Sequence, residues 1–256
     1  MIPYETKGEY TQMAILTFEN YEQMSKAAAD LVAAALSEKP DLVLGLPTGS
    51  TPVGMYQQLV LRMQSKDISF ARVTTFNLDE YVGLAGSDPQ SYRYFMQENL
   101  FKHIDLPEAR AFIPDGAAAD PEAEALRYDN LLQQKGPLDL LILGIGHNGH
   151  IGFNEPGSPW DGKCRVVPLD AETIAANARF FEGDLARVPH SAITMGLATI
   201  MSARKIMLLA SGSAKAAIIK AATQGTPSPQ IPASILQKHP SVDIFLDAEA
   251  AAELDS

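Results

Sequence analysis

The densest group of chemically capable side chains lies in "LGIGHNGHIGFNEPG", residues 143–157. Gly144, Gly146, Gly149 and Gly152 surround His147, Asn148 and His150, with Asn154 and Glu155 following. Glycines let a backbone approach a ligand closely. A His with a carboxylate five residues on can form an oriented acid–base pair, the carboxylate holding one ring nitrogen and leaving the other for substrate. The two histidines also raise a metal site. Against it, no Cys or HExxH helix lies nearby, and a Gly-broken backbone is a poor platform for ligands at helical spacing.

A second segment, "FNLDEYVGL", sets Asp79 and Glu80 directly after apolar residues. Such carboxylates serve either as a base at the rim of a site or as helix caps and solvated turn residues. In a third, "DLVLGLPTGSTPVGMYQQL" (41–59), an apolar run breaks into Thr48, Gly49, Ser50 and Thr51 before a helical pattern starts near Pro52. A helix N-terminus with free amides and hydroxyls suits a phosphate, and the same residues also make an ordinary strand-to-helix turn. Arg179 in "ANARFF" and Lys215 in "GSAKAA" add local cations, or are solvated surface residues. Lys215 falls in the first turn of an expected helix, where the helix dipole disfavours positive charge unless an anion shares the site. His103, His190 and His239 read as surface or helix-end histidines.

These segments must be positioned by a repeating framework. Short apolar runs, "MAILTF", "LVLGL", "VTTFNL", "LDLLILGIG", "KIMLLAS" and "VDIFLD", alternate with helical patterns such as Met24, Ala28, Leu31, Val32 and Leu36. Strands separated by helices imply parallel βαβ units, an α/β fold with helices on both faces of a mostly parallel sheet. Ligands then gather at the carboxyl ends of the strands, where the order reverses. Each polar segment above lies just after an expected strand. The less regular stretch 155–190 reads as a lid or a long surface excursion. No internal repeat or linker divides the chain, so 13–256 is expected to form one domain, preceded by a short extension, 1–12.

The chain has 256 residues, 46% of them hydrophobic, which suffices for a sizeable core. Its formal net charge of −11 argues against a nucleic-acid or anionic-membrane partner. One cysteine, Cys164, excludes an internal disulfide framework and fits a reducing, cytoplasmic setting. The start, "MIPYETKGEY", lacks the pattern of a signal peptide, and no apolar run approaches the roughly 18 residues of a membrane span.

Taken in order, "LGLPTGSTP", "FNLDEYVGL", "SYRYFM", "LGIGHNGHIGFNEPGS", "ARFF" and "GSAKA" resemble the glucosamine-6-phosphate deaminases, from about Met13 to Phe245. The resemblance implies a modified Rossmann-like fold and the cofactor-free, metal-free conversion of D-glucosamine 6-phosphate and water to D-fructose 6-phosphate and ammonia. It makes Thr48, Gly49, Ser50 and Thr51 the phosphate loop, and Arg179 and Lys215 the phosphate-binding cations. It also makes His150 the ring-opening group, tuned by Glu155 and assisted by Asn148, and Asp79 the base that moves a proton from C2 to C1. Asn148 stands where many members carry Asp; it can orient His150 but carries no charge, so Glu155 must supply it. Val167 stands where members activated by N-acetylglucosamine 6-phosphate keep a second cation, so weak or absent activation and a monomer or small homo-oligomer are expected. The related 6-phosphogluconolactonases share an "LPTG" loop but continue differently after Gly-His, and a galactosamine 6-phosphate enzyme differs only in reading C4. A sugar-phosphate sensor would carry a helix-turn-helix domain ahead of the sugar domain, for which 1–12 is too short.

Overall fold

In the computed structural model, the described residues are 12–169, 174, 178–181 and 184–255, the side chains of Gln12, Arg179, Phe180 and Ala186 excepted. The most apolar run becomes a central strand because alternate side chains serve opposite layers, as a period of two requires. Leu140 and Ile142 pack on one side of the sheet with Met24, Val32, Met55 and Leu59. Leu141 and Leu143 pack on the other with Tyr128, Ile200, Ile219 and Leu236.

In chain order the elements are β1 (Gln12–Phe18), α1 (Tyr21–Glu38), β2 (Val43–Leu46), α2 (Val53–Gln64), β3 (Thr74–Asn77), β4 (Asp79–Tyr81), α3 (Tyr92–Asn99), β5 (Ala111–Phe112), α4 (Pro121–Lys135), β6 (Leu140–Leu143), β7 (Arg165–Pro168), β8 (Ser191–Thr194), α5 (Leu197–Met201), β9 (Ile206–Ala210), α6 (Ala216–Gln224) and β10 (Ser241–Asp247). Seven strands form one sheet in the order β1-β10-β9-β6-β2-β3-β5, with every described pairing parallel. The α/β reading therefore holds, with helices over both faces. The N-caps also follow from residue type: Asn20, Ser91 and Asp120 accept the N–H of Gln23, Tyr94 and Ala123.

The strand order reverses between β2 and β6, whose outgoing loops diverge and leave a crevice at their carboxyl ends. Beside it lies a small antiparallel sheet, β4-β8-β7, that the apolar pattern does not announce. Within the stretch 155–190, which the sequence presents only as irregular, it forms β7, and β8 follows directly after; residues 170–173, 175–177 and 182–183 of that stretch lie outside the described residues. One residue, Leu78, separates β3 from β4, so the chain leaves the parallel sheet and enters the antiparallel one at Asp79.

Two further expectations need correction. His239 follows a 3-10 turn but is no surface residue: it is buried, with Nε2 donating to Ala203 O at 2.8 Å and Nδ1 accepting from Ser241 N at 3.1 Å. Lys215 closes a 3-10 turn ahead of α6 rather than lying within that helix. Residues 1–11 of the expected extension lie outside the described residues.

Candidate active site

A cavity of ≈ 580 Å³ opens at the β2/β6 crevice. Its walls bring together Thr48, Gly49, Ser50, Thr51, Asp79, His150 and Lys215, seven of the residues singled out above.

The Thr48–Thr51 loop connects β2 to α2, and the two carbonyls that lead into it are pinned by side chains. Asn77 Nδ2 donates to Leu46 O at 3.0 Å, and Tyr56 Oη donates to Pro47 O at 2.5 Å. A trans peptide holds its N–H antiparallel to its C=O, so the Pro47 carbonyl, fixed toward Tyr56, turns the Thr48 N–H to the opposite side. Gly49 has φ +96 and faces open space, a conformation that disfavours a side chain. Thr48 to Val53 all line the cavity, so a Gly- and hydroxyl-rich loop and the start of α2 share one wall, the usual composition of an anion site. Across the cavity, Lys215 Nζ donates to Ile145 O at 2.7 Å, which places an ammonium beside the β6 loop. The Arg179 side chain lies outside the described residues; its backbone belongs to the 3-10 turn Ala178–Phe181, whose Phe181 lines the cavity.

His150 is held from behind. Its Nδ1 lies 2.8 Å from Asn148 Oδ1 and 3.3 Å from Glu155 Oε2, while Asn148 Nδ2 donates to Glu155 Oε2 at 2.7 Å. A carboxylate only accepts, so the Asn148 amide presents NH₂ to Glu155 and its oxygen to His150. Both neighbours of Nδ1 are therefore acceptors, and Nδ1 must carry the proton. In the neutral ring this leaves Nε2 with its lone pair, a tautomer assigned by the bonding network. Asn148 Oδ1 also accepts from the His150 backbone N–H at 3.2 Å. Gly146 makes room for the ring: a Cβ there would sit 2.2 Å from His150 Cε1 and 2.3 Å from Nε2. Asn148 and Glu155 stand outside the cavity lining and act on it through His150.

Asp79 pairs with Thr194 in the small sheet and is buried. Burial first, and then the neighbouring Glu80 charge, push its carboxyl up to about 8. Glu80, on the opposite side of the strand, accepts from the N–H of Tyr81, Tyr92 and Arg93, all at 2.9 Å, and so fixes the start of α3. Burial raises its carboxyl too, against those hydrogen bonds.

Sequence reasoning missed the aromatic wall. Tyr81 lies 4.8 Å from Tyr92, 5.5 Å from Phe153 and 6.4 Å from Phe181 between ring centroids, and all four line the cavity. Their motifs, "DEY", "SYRY", "IGF" and "ARFF", were visible, but aromatic residues at such spacing read equally well as core. His147, weighed only as a metal ligand, also lines the cavity, its ring centroid 6.1 Å from that of His150. Among the described residues no group of three or more His, Cys, Asp or Glu could hold a metal ion.

A family model described as glucosamine-6-phosphate isomerases/6-phosphogluconolactonase matches residues 18–244. The chain belongs to this family. Among its relatives, a glucosamine-6-phosphate deaminase of Halothermothrix orenii is 52% identical over 94% of this chain and 100% of its own. Glucosamine-6-phosphate deaminase 2 of Bacillus subtilis is 51% identical over 95% and 98%. The solved structure of a monomeric glucosamine-6-phosphate deaminase superposes with a TM-score of 0.92 at 46% identity, covering 94% of this chain and 100% of that one. A 6-phosphogluconolactonase from Trypanosoma brucei, at 23% identity and a TM-score of 0.76 over 96% and 100% of the chains, shares the family fold.

Proposed function

We propose that this enzyme converts D-glucosamine 6-phosphate and water to D-fructose 6-phosphate and ammonia, an aldose–ketose isomerisation coupled to deamination in N-acetylglucosamine catabolism. The observation that carries the proposal is the pairing, in one cavity, of a phosphate-type loop with two proton-transfer groups of opposite design. His150 has its outer nitrogen bare and its inner one bonded toward a carboxylate, whereas Asp79 is buried and holds its proton unusually tightly. The deaminase relatives, at about half identity over nearly their full length, support the same activity.

In this reading the phosphate rests on Thr48, Gly49, Ser50 and Thr51 and is neutralised by Lys215 and Arg179. Lys215 supplies a point charge and Arg179 a planar fork, a complementary pair for a dianion. His150 Nε2 takes the proton of the anomeric hydroxyl and returns it to the ring oxygen, opening the pyranose. Glu155 stabilises the imidazolium that forms in between, and Asn148 keeps the ring oriented. Asp79, once ionised, removes the C2 proton as a proton of the substrate ammonium passes to the C1 oxygen, giving an enolamine, and then delivers the C2 proton to C1. The resulting C2 imine adds water and expels ammonia, leaving the C2 ketone. Positioned acid–base groups of this kind contribute about 10² to 10⁴-fold each. The aromatic wall of Tyr81, Tyr92, Phe153 and Phe181 keeps that exchange away from bulk water.

Residues 13–256 work as one catalytic unit in this account, with a lid within 155–190 and 1–12 as an extension. The enzyme acts in the cytoplasm as a monomer, a state supported by the monomeric deaminase it superposes on. Val167 packs among Tyr81, Phe153, Leu169 and Ala192, an apolar position that suits the absence of an activator cation.

Ammonia release tests the proposal. Purified protein is assayed with glucosamine 6-phosphate, galactosamine 6-phosphate and 6-phosphogluconolactone, with N-acetylglucosamine 6-phosphate added or withheld. Fast ammonia from the first substrate, indifferent to the acetylated sugar, is expected. No ammonia from either amino sugar would overturn the proposal.

A further inference from the structure

Tyr21 is the first residue of α1, far in sequence from the loop between β2 and α2, yet its hydroxyl sits directly behind that loop. It accepts the Gly54 N–H at 2.8 Å and lies 3.0 Å from Thr51 O and 3.2 Å from Ser50 O, toward which its one proton points. Three backbone groups over five residues thus converge on one oxygen from another helix. The close approach depends on Gly54, where a Cβ would come 2.9 Å from Tyr21 Oη and 2.5 Å from the buried Ser25 Oγ. The Asn20 cap, accepting from Gln23 N at 2.9 Å, fixes the turn that carries Tyr21.

We infer that Tyr21 is a positioning residue for phosphate binding, its hydroxyl setting the orientation of the loop peptides from behind. The Ser50 carbonyl is turned toward Tyr21, so the planar trans peptide turns the Thr51 N–H to the opposite side, where Thr51 lines the cavity. The Gly54 N–H is one of the first-turn groups of α2 that lack a helical partner. By accepting it, Tyr21 fixes the helix start against the loop. Tyr21 is not among the cavity-lining residues, so its influence passes through the backbone rather than through contact with substrate. This inference rests on reading Thr48–Thr51 as a phosphate loop.

Tyr21→Phe removes the oxygen and keeps the ring, while Tyr21→Leu removes both. Inorganic phosphate is the probe, titrated calorimetrically and used as an inhibitor competing with glucosamine 6-phosphate. Loss of a hydrogen bond of ordinary strength corresponds to about three- to tenfold. Tyr21→Phe is expected to raise the phosphate Kd and the KM for glucosamine 6-phosphate by that factor, with kcat within twofold of wild type. A Tyr21→Phe protein matching wild type in phosphate Kd and KM, with only Tyr21→Leu impaired, would reduce Tyr21 to packing and overturn the inference. A fall in kcat with KM and Kd unchanged would overturn it as well. Wild-type protein that fails to bind phosphate while turning over glucosamine 6-phosphate would overturn the phosphate-loop reading itself, and this inference with it.

Discussion

Glu155 reaches His150 by two routes: directly, with Oε2 3.3 Å from Nδ1, and through the Asn148 amide, which donates to that same oxygen at 2.7 Å and accepts at Nδ1 from 2.8 Å. The negative charge and the geometric restraint on the imidazole therefore come from different residues. Asn148 is thus a neutral bridge, and the charge is left to one carboxylate.

Glu155→Gln keeps an acceptor near Nδ1 but removes the charge that stabilises the transient imidazolium. The expected result is a kcat lower by about ten- to a hundredfold with KM within threefold, since the loss falls on the transition state rather than on substrate binding. Steady-state kinetics with glucosamine 6-phosphate check it. A changed KM at constant kcat would place Glu155 in substrate binding instead.

Asp79→Asn is expected to abolish transfer of the C2 hydrogen to C1, followed with glucosamine 6-phosphate deuterated at C2, with turnover down by about 10² to 10⁴-fold, while sugar-phosphate binding persists. It also has a pH signature in stability. The Asp79 carboxyl rises from an ordinary 3.8 to about 8 in the folded protein, so the native state holds the proton more tightly than the unfolded chain does. That contribution is complete below the ordinary value and is lost as pH rises through about 8. Asparagine has no such charge to bury, so the variant's Tm should gain on wild type between about pH 5 and pH 9. Parallel melting curves measure the difference.

Lys215→Ala removes a cation at the phosphate side of the cavity. A charged hydrogen bond corresponds to about ten- to a hundredfold in affinity, so KM should rise by that factor with kcat changing less. Added salt screens a dianion's partners, and the wild-type KM should therefore climb more steeply with ionic strength than that of the variant. An unchanged KM would remove Lys215 from phosphate binding.

Gly146→Ala places a methyl within 2.4 Å of His150 Cε1, Nε2 and Nδ1, so the ring must turn into the open cavity. Misplacing a reacting group by about 1 Å costs on the order of 10²-fold. The fold itself is left intact. The expected outcome is a comparable loss of kcat with Tm within about 3 °C of wild type, read from kinetics and melting together.

The parallel sheet was legible because strands buried on both sides leave unbroken apolar runs, as in "LDLLILGIG". The antiparallel sheet was not: "DEY", "RVVP" and "SAIT" are short, partly polar, and paired across long sequence separations. Asp79, His150 and Lys215 could be found because polar residues directly after strands have few other reasons to recur. Tyr81, Tyr92 and Phe153 could not, since aromatic residues carry the same signal in a core as in a cavity wall. The position of Lys215 looked unfavourable as a helix-start cation, yet the chain forms a 3-10 turn there and the Ile145 carbonyl receives the ammonium. The neighbour that decides the matter lies 70 residues away, beyond the reach of local pattern.

The edge position of β1 also has a bearing on biosynthesis. Its ladder runs from Gln12↔Ser241 to Phe18↔Asp247, with β10 as its neighbour in the sheet. Vectorial synthesis therefore delivers β1 well ahead of its partner, with β2, β3, β6 and β9 emerging in between. Until β10 emerges, "QMAILTF" is an unmatched apolar strand, the kind of segment at which nascent chains aggregate.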